Sequence, residues 1–316
     1  MADEQKKPYS IKSHAASAAP HGRLAAMDRW MESNPWHPRV APWGTYLVFM
    51  AIIAAADELI GGLGKKAFGD ETIGHKTYPF LYVIQCLTVV WLLRRYRRLT
   101  PELTLKFHWL AVPAGLAVAC IWINFGIYMV NWFPSLKTLG AEPFFDDDQM
   151  GPVLGWTALS LRLLGMSIVV PMFEELFNRS LLLRSLHRPR ETWLGVVQVL
   201  SDLPVLGDWI MHTKVGERAA HAGSIFTREF ERTPFGALSL FGVLASTLVF
   251  MSVHHWRDWP ACFLCGVIYC LVVGVTRDKG LGPVIWTHGI TNAALWVYTL
   301  AEHFFDPNHP PIWPFL

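Results

Sequence analysis

Residues 163–184 read "LLGMSIVVPMFEELFNRSLLLR". Two adjacent glutamates and an arginine interrupt a run that is otherwise apolar enough for a membrane. A charged side chain at the centre of a membrane helix costs about 2.5–3.5 kcal/mol on insertion scales, so keeping three demands pairing or a function. Successive helical positions turn by about 100°, which puts Glu175 and Arg179 (i, i+4) on one face where they can neutralise each other. Glu174 points about a quarter turn away and shares its row with Asn178. Pairing therefore accounts for Glu175 and Arg179 and leaves Glu174 over.

The rest of the chain supports a membrane setting. Of its 316 residues 52% are hydrophobic and only 16% charged, and mean hydropathy is +0.29; soluble domains carry about 25% charged residues. Fifteen tryptophans add to this, because indole favours the headgroup region. A net charge of +2 without a basic stripe gives nucleic-acid binding no support. The five cysteines all lie in apolar runs. Cys262 and Cys265 form a lone C-x-x-C without the second pair or soluble flanks of a metal site, and read as small apolar fillers.

A spanning helix needs about 20 mainly apolar residues. Stretches that qualify fall at about 42–60, 77–93, 107–133, 155–182, 236–255, 259–276 and 281–303. The apolar stretch 192–211 is broken by Asp202, Pro204 and Asp208, and as a span, a re-entrant piece or an interfacial helix it stays open. The expected fold is all-α, a polytopic membrane protein with a bundle of seven or eight transmembrane helices. Three parts are expected: a polar cytosolic tail (1–40) without the hydrophobic region of a signal peptide, N-terminal membrane helices (41–150), and a membrane domain (151–316) that the resemblance described below implies is catalytic. A short interfacial helix is expected near "MDRWMESNPW". Basic loops "RRYRR" (94–98) and "RSLHRPR" (184–190), against the acidic "LGAEPFFDDDQMGP" (139–152), place the N-terminus in the cytosol.

Two other apolar segments carry complementary polar groups. Phe250 and His254 stand at i, i+4, with His255 adjacent, and His288 and Asn292 at i, i+4 in "WTHGITNAALW". Polar groups on membrane helices face the bundle interior, and the interior is shared. E-E-x-x-x-R (Glu174, Glu175, Arg179), F-x-x-x-H (Phe250, His254) and H-x-x-x-N (His288, Asn292), in that order, resemble the three motifs of the CAAX prenyl protease and bacteriocin-processing (CPBP) family of intramembrane proteases. The resemblance covers about residues 155–303 and looks most like the bacterial "CAAX prenyl protease-related" branch, whose members occur beside exosortase-type sorting systems; a bacterial inner-membrane protein is implied. Two departures stand out. Asn178-Arg179-Ser180 replaces the usual F-R-G, and about 70 residues separate the first two motifs, a loop insertion at about 190–234 that is expected to be cytosolic and to shape access to the site.

Peptide hydrolysis needs an activated water and a cradle for the oxyanion. Glu174 is the expected general base with His254 as its partner, His288 and Asn292 the expected oxyanion donors, and Glu175 with Arg179 the brace; these roles are partly those the resemblance implies. The rival arrangement is a zinc centre on Glu174, His254 and His288 with one open position. It lacks H-E-x-x-H, and the metal-free version is favoured. Ser252 has no nucleophile setting, His255 points towards the interface, and Arg162 is expected to pair or snorkel. The expected partners are the lipid bilayer and a membrane-anchored protein or peptide substrate. A catalytically idle, immunity-type relative would lack a motif residue, and all are present; a transporter would favour visible repeats.

Overall fold

The structure, a computed structural model, describes residues 23–69, 73–137 and 151–305. The tail up to residue 22 and nearly all of the acidic loop lie outside the described residues, which are otherwise helical without strands. Twelve helices suffice to describe the fold. They are α1 (Arg23–Ser33), α2 (His37–Phe68), α3 (Ile73–Arg95), α4 (Ala111–Trp132), α5 (Pro152–Ser185), α6 (Pro189–Ser201), α7 (Leu206–Met211), α8 (Lys214–Ala220), α9 (Ile225–Arg232), α10 (Leu240–Ser252), α11 (Trp259–Val275) and α12 (Gly282–Phe305).

By length and composition, five segments can cross a membrane: α2, residues 76–95 of α3, α4, α5 and residues 256–275 with α11. The expected spans at 236–255 and 281–303 appear as α10, only 13 residues long, and α12, 24 residues long. At 1.5 Å per residue α10 reaches about 20 Å, short of the ~30 Å hydrocarbon core. Among the described residues five segments thus meet the length and composition of a span, while α10, α12 and the broken stretch 192–211 are not among them.

That broken stretch forms α6 and α7, of 13 and 6 residues, neither long enough to cross. The whole excursion from α5 to α10 starts and ends together, because Ser239 Oγ donates to the His187 carbonyl at 2.6 Å. It is helical rather than a loop, and α9 is clamped to the body by Glu229, which accepts two bonds from Arg188 at 2.7 and 2.6 Å. At the N-terminus α1 packs on the end of α3, with Arg95 and Tyr96 both donating to Asp28.

Contacts between connections sort the helix ends into two faces. One holds the arginines. Arg39 at the start of α2 donates to Glu102 Oε1 at 2.7 Å, Ser180 Oγ donates to the same oxygen, and Leu281 N donates to the Glu102 carbonyl at 2.8 Å. The other face carries the start of α3, where a Cβ on Gly74 would stand 2.4 Å from the Asp57 carbonyl oxygen of α2. It also carries the Phe133–Trp256 edge contact at 5.5 Å.

The core sits where α4, α5, α10, α11 and α12 meet, around Phe173, Leu176, Phe250, Tyr269 and Val284, with Cys262 and Cys265 buried in it as fillers. Lipid-facing side chains are left bare, as on α2, where Val48 and Leu59 are exposed. A topology reporter inserted at residue 215 is expected to report the same side as one at residue 97. Opposite sides would show that the 192–211 stretch crosses.

Candidate active site

The helix that carries the glutamates is not a regular α-helix. Within α5, residues Gly165–Val169 and Leu176–Leu182 are wound as π-helix, on either side of the α-helical Val170–Glu175. Such bulges concentrate at functional sites. Pro171 explains the first. It has no N–H to give, and in a regular helix its ring would strike the carbonyl four residues back. In the widened turn the carbonyl five residues back, that of Met166, is left without a backbone donor. Asn292 Nδ2 fills the gap from α12, donating to Met166 O at 2.8 Å.

Backbone contact makes this reach possible. A Cβ on Gly289 would lie 2.3 Å from the Ser167 carbonyl oxygen, and one on Gly115 would lie 2.7 Å from that of Thr287. Only glycine at these positions lets α12 wedge between α4 and the bulge of α5. His288 and Asn292 flank Gly289 and so are pressed against the glutamate helix from one side.

Glu175 is fully buried, as are Arg179 and its surroundings. Its carboxylate pairs with Arg179 Nε at 3.2 Å through one oxygen, and through the other accepts from His288 Nδ1 at 2.8 Å. The guanidinium lies over two rings, 4.9 Å from the Phe250 centroid and 5.2 Å from that of Tyr269. Desolvated cation–π contacts of this kind contribute about 2 kcal/mol each. The phenylalanine of F-x-x-x-H is thus a platform for the arginine of E-E-x-x-x-R. Tyr269, which no motif reading singled out, has the same role and also stacks towards His288, 5.2 Å away; its only sequence signal is a hydroxyl in an otherwise apolar helix.

Glu174 lies differently. Its carboxylate, 19% exposed, has His288 Nε2 at 4.0 Å, beyond hydrogen-bonding range. Asn178, its row neighbour, spends its amide on the Glu174 backbone carbonyl at 3.0 Å, not on the carboxylate.

His254 stands not on α10 but in the turn just beyond it. Its Nδ1 is 2.8 Å from the Phe250 carbonyl. A carbonyl only accepts, so Nδ1 carries the hydrogen and the neutral ring offers Nε2 as a base. Trp122 and Phe250 hold the ring from two sides at 6.0 and 4.5 Å. Glu174, His254, His288 and Asn292 together line one cavity of about 140 Å³. Glu174 and His254 also line a second, of about 560 Å³, that runs along α2 and α3.

The remaining candidates lie elsewhere. His255 is exposed and its ring accepts from Arg257 N at 3.2 Å, capping a short turn. Ser252 Oγ donates to the Val249 carbonyl. Arg162 donates to Tyr78 Oη at 3.1 Å in the larger cavity. Among the described residues no three His, Cys, Asp or Glu side chains gather closely enough to hold a metal ion.

Compared with known protein families, residues 215–294 match the one described as "Type II CAAX prenyl endopeptidase Rce1-like". The match takes in His254, His288 and Asn292 and stops short of the glutamate motif. No curated protein and no solved structure matches the chain. Over about a quarter of its length, then, this chain is similar to the type II CAAX prenyl endopeptidase family.

Asn292→Ala would leave the Met166 carbonyl unsatisfied in the core and is expected to cost about 1–3 kcal/mol. Pro171→Ala restores a backbone N–H beneath that carbonyl. In thermal unfolding of detergent-solubilised protein, the double variant is expected to lose less than the sum of the two single losses; strict additivity would contradict the assignment.

Proposed function

We propose that this protein is an intramembrane endopeptidase that hydrolyses a peptide bond of a membrane-associated or lipid-anchored protein, with Glu174 as general base. The observation that carries this reading is the division of labour between the two glutamates. Glu175 is buried and occupied by Arg179 and His288, whereas Glu174 faces a cavity shared with His254.

A water held between Glu174 and His254 Nε2 gives up a proton to Glu174 as its oxygen attacks the scissile carbonyl carbon. The tetrahedral oxyanion is met by the second amide hydrogen of Asn292 and by Nε2–H of His288 in its doubly protonated form, the Nδ1–H being held by Glu175. Glu174 then delivers the proton to the leaving nitrogen, and the C–N bond breaks. Each step uses groups of this chain alone. Arg179 and Glu175 act by position, keeping His288 turned towards Glu174. By the arginine distribution the α5–α6 connection lies in the cytosol, as does the N-terminus, and a bacterial inner membrane is the setting the motif resemblance implies.

With a membrane-anchored reporter peptide as substrate, Glu174→Ala and His254→Ala are each expected to lower the cleavage rate by about 10²–10⁴-fold. Undiminished cleavage by Glu174→Ala would overturn the reading. Chelator treatment is expected to leave wild-type activity unchanged; loss on chelation with recovery on adding zinc would favour a metal centre instead.

A further inference from the structure

The larger cavity does not surround Glu174 evenly. On the arginine side of the carboxylate the protein is closed. Glu175 and Arg179 fill the next turn of α5, and Trp43 stacks on Phe177 with ring centroids 4.6 Å apart. Beyond them Arg39, Glu102 and Ser180 form a plug in which the Arg39 and Glu102 side chains are only 4% and 7% exposed. Tyr46 tilted against Phe173 at 4.7 Å completes the seal.

In the other direction the space continues. Along α2 its wall passes from Tyr46 through Met50 and Ala54 to Asp57, and along α3 it is met by Gly74 and Thr77 in the first turns of that helix. On α5 the wall runs from Glu174 back to Arg162, twelve positions earlier, or about 18 Å at helical rise. An extended chain covers about 3.3 Å per residue, so this length takes roughly five residues. The wall is aromatic and aliphatic in the middle, while polar groups stand at the far end, where Arg162 donates to Tyr78. The smaller cavity leaves Glu174 in the same direction, past Leu295 and Trp296 in the outer half of α12.

We propose that Glu174 is reached from the membrane face opposite the arginine-rich one, through this cavity. The occupant is an extended peptide segment of about five residues that dips into the bilayer from that face. By the arginine distribution this is the extracytoplasmic side. The route of access stands on geometry alone; the identity of the occupant as a substrate rests on the endopeptidase reading.

Single-cysteine variants in membrane vesicles of known orientation, treated with a membrane-impermeant methanethiosulfonate, test the route against the wild-type background. Arg97→Cys marks the arginine face. Glu174→Cys and Thr77→Cys are expected to be labelled from the opposite side only. Adding Met50→Trp, which fills the passage, is expected to abolish labelling at 174 while leaving it at 77. If Glu174→Cys does not fold, Val170→Cys, one turn away on the same cavity wall, replaces it. Labelling of 174 or 170 from the arginine side, or from neither side, would overturn the proposed route. Cleavage by Glu174→Ala is read separately, so a failed route and a failed peptidase reading give different results.

Discussion

The rest of the site depends on one buried ion pair. Glu175 and Arg179 are taken entirely out of water, and burying charges of this kind costs several kcal/mol per ion before pairing offsets it. The protein meets that cost by crowding partners from three other helices around the pair: Phe250 from α10, Tyr269 from α11 and His288 from α12. Those helices are therefore held in one relative position by electrostatics as well as by packing. His288 is fixed in rotation as a result. In the mechanism proposed above, the pair organises the site rather than taking part in its chemistry, which leaves Glu174 for the chemical step.

A second constraint comes from the backbone. Pro171, two residues after a π-helical turn, leaves the Met166 carbonyl to be served from outside the helix, and Asn292 serves it. The same turn receives Gly289 at backbone distance. The irregularity that proline imposes is thus the surface against which H-x-x-x-N docks. Asn292 has two amide hydrogens, one on Met166 and one available at the cavity, so a structural and a chemical role can coexist in one side chain.

Much of this was legible in the residues. The i, i+4 rule separated Glu175 from Glu174 before any coordinates, because helix periodicity is nearly independent of context. Membrane character and most helix positions followed from hydropathy for the same reason. What local sequence could not carry was pairing across helices. Nothing in "WTHGITNAALW" says that His288 binds Glu175 rather than facing the cavity on its own account, and Tyr269 lacks any motif. The length of α10 was also overestimated: a span is expected over 236–255, whereas the helix starts after the Ser239 cap and ends at Ser252. His254 sits in the turn beyond it, and where such a turn falls is set by tertiary packing. The insertion looked like a loop with one ambiguous span because Asp202 and Pro204 break it; the structure shows short helices whose two ends meet.

The central claim is that two neighbouring glutamates have separable roles, one holding the site and one working in it. The most direct measurement is thermal stability and reporter cleavage, side by side, for Glu174→Gln and Glu175→Gln. Removing the Glu175 charge strands Arg179 in the core and is predicted to cost about 3–5 kcal/mol of stability. Glu174→Gln is predicted to unfold at the wild-type temperature while cleavage is lost. A Glu174→Gln protein that is destabilised as much as Glu175→Gln, or that still cleaves, would contradict the account.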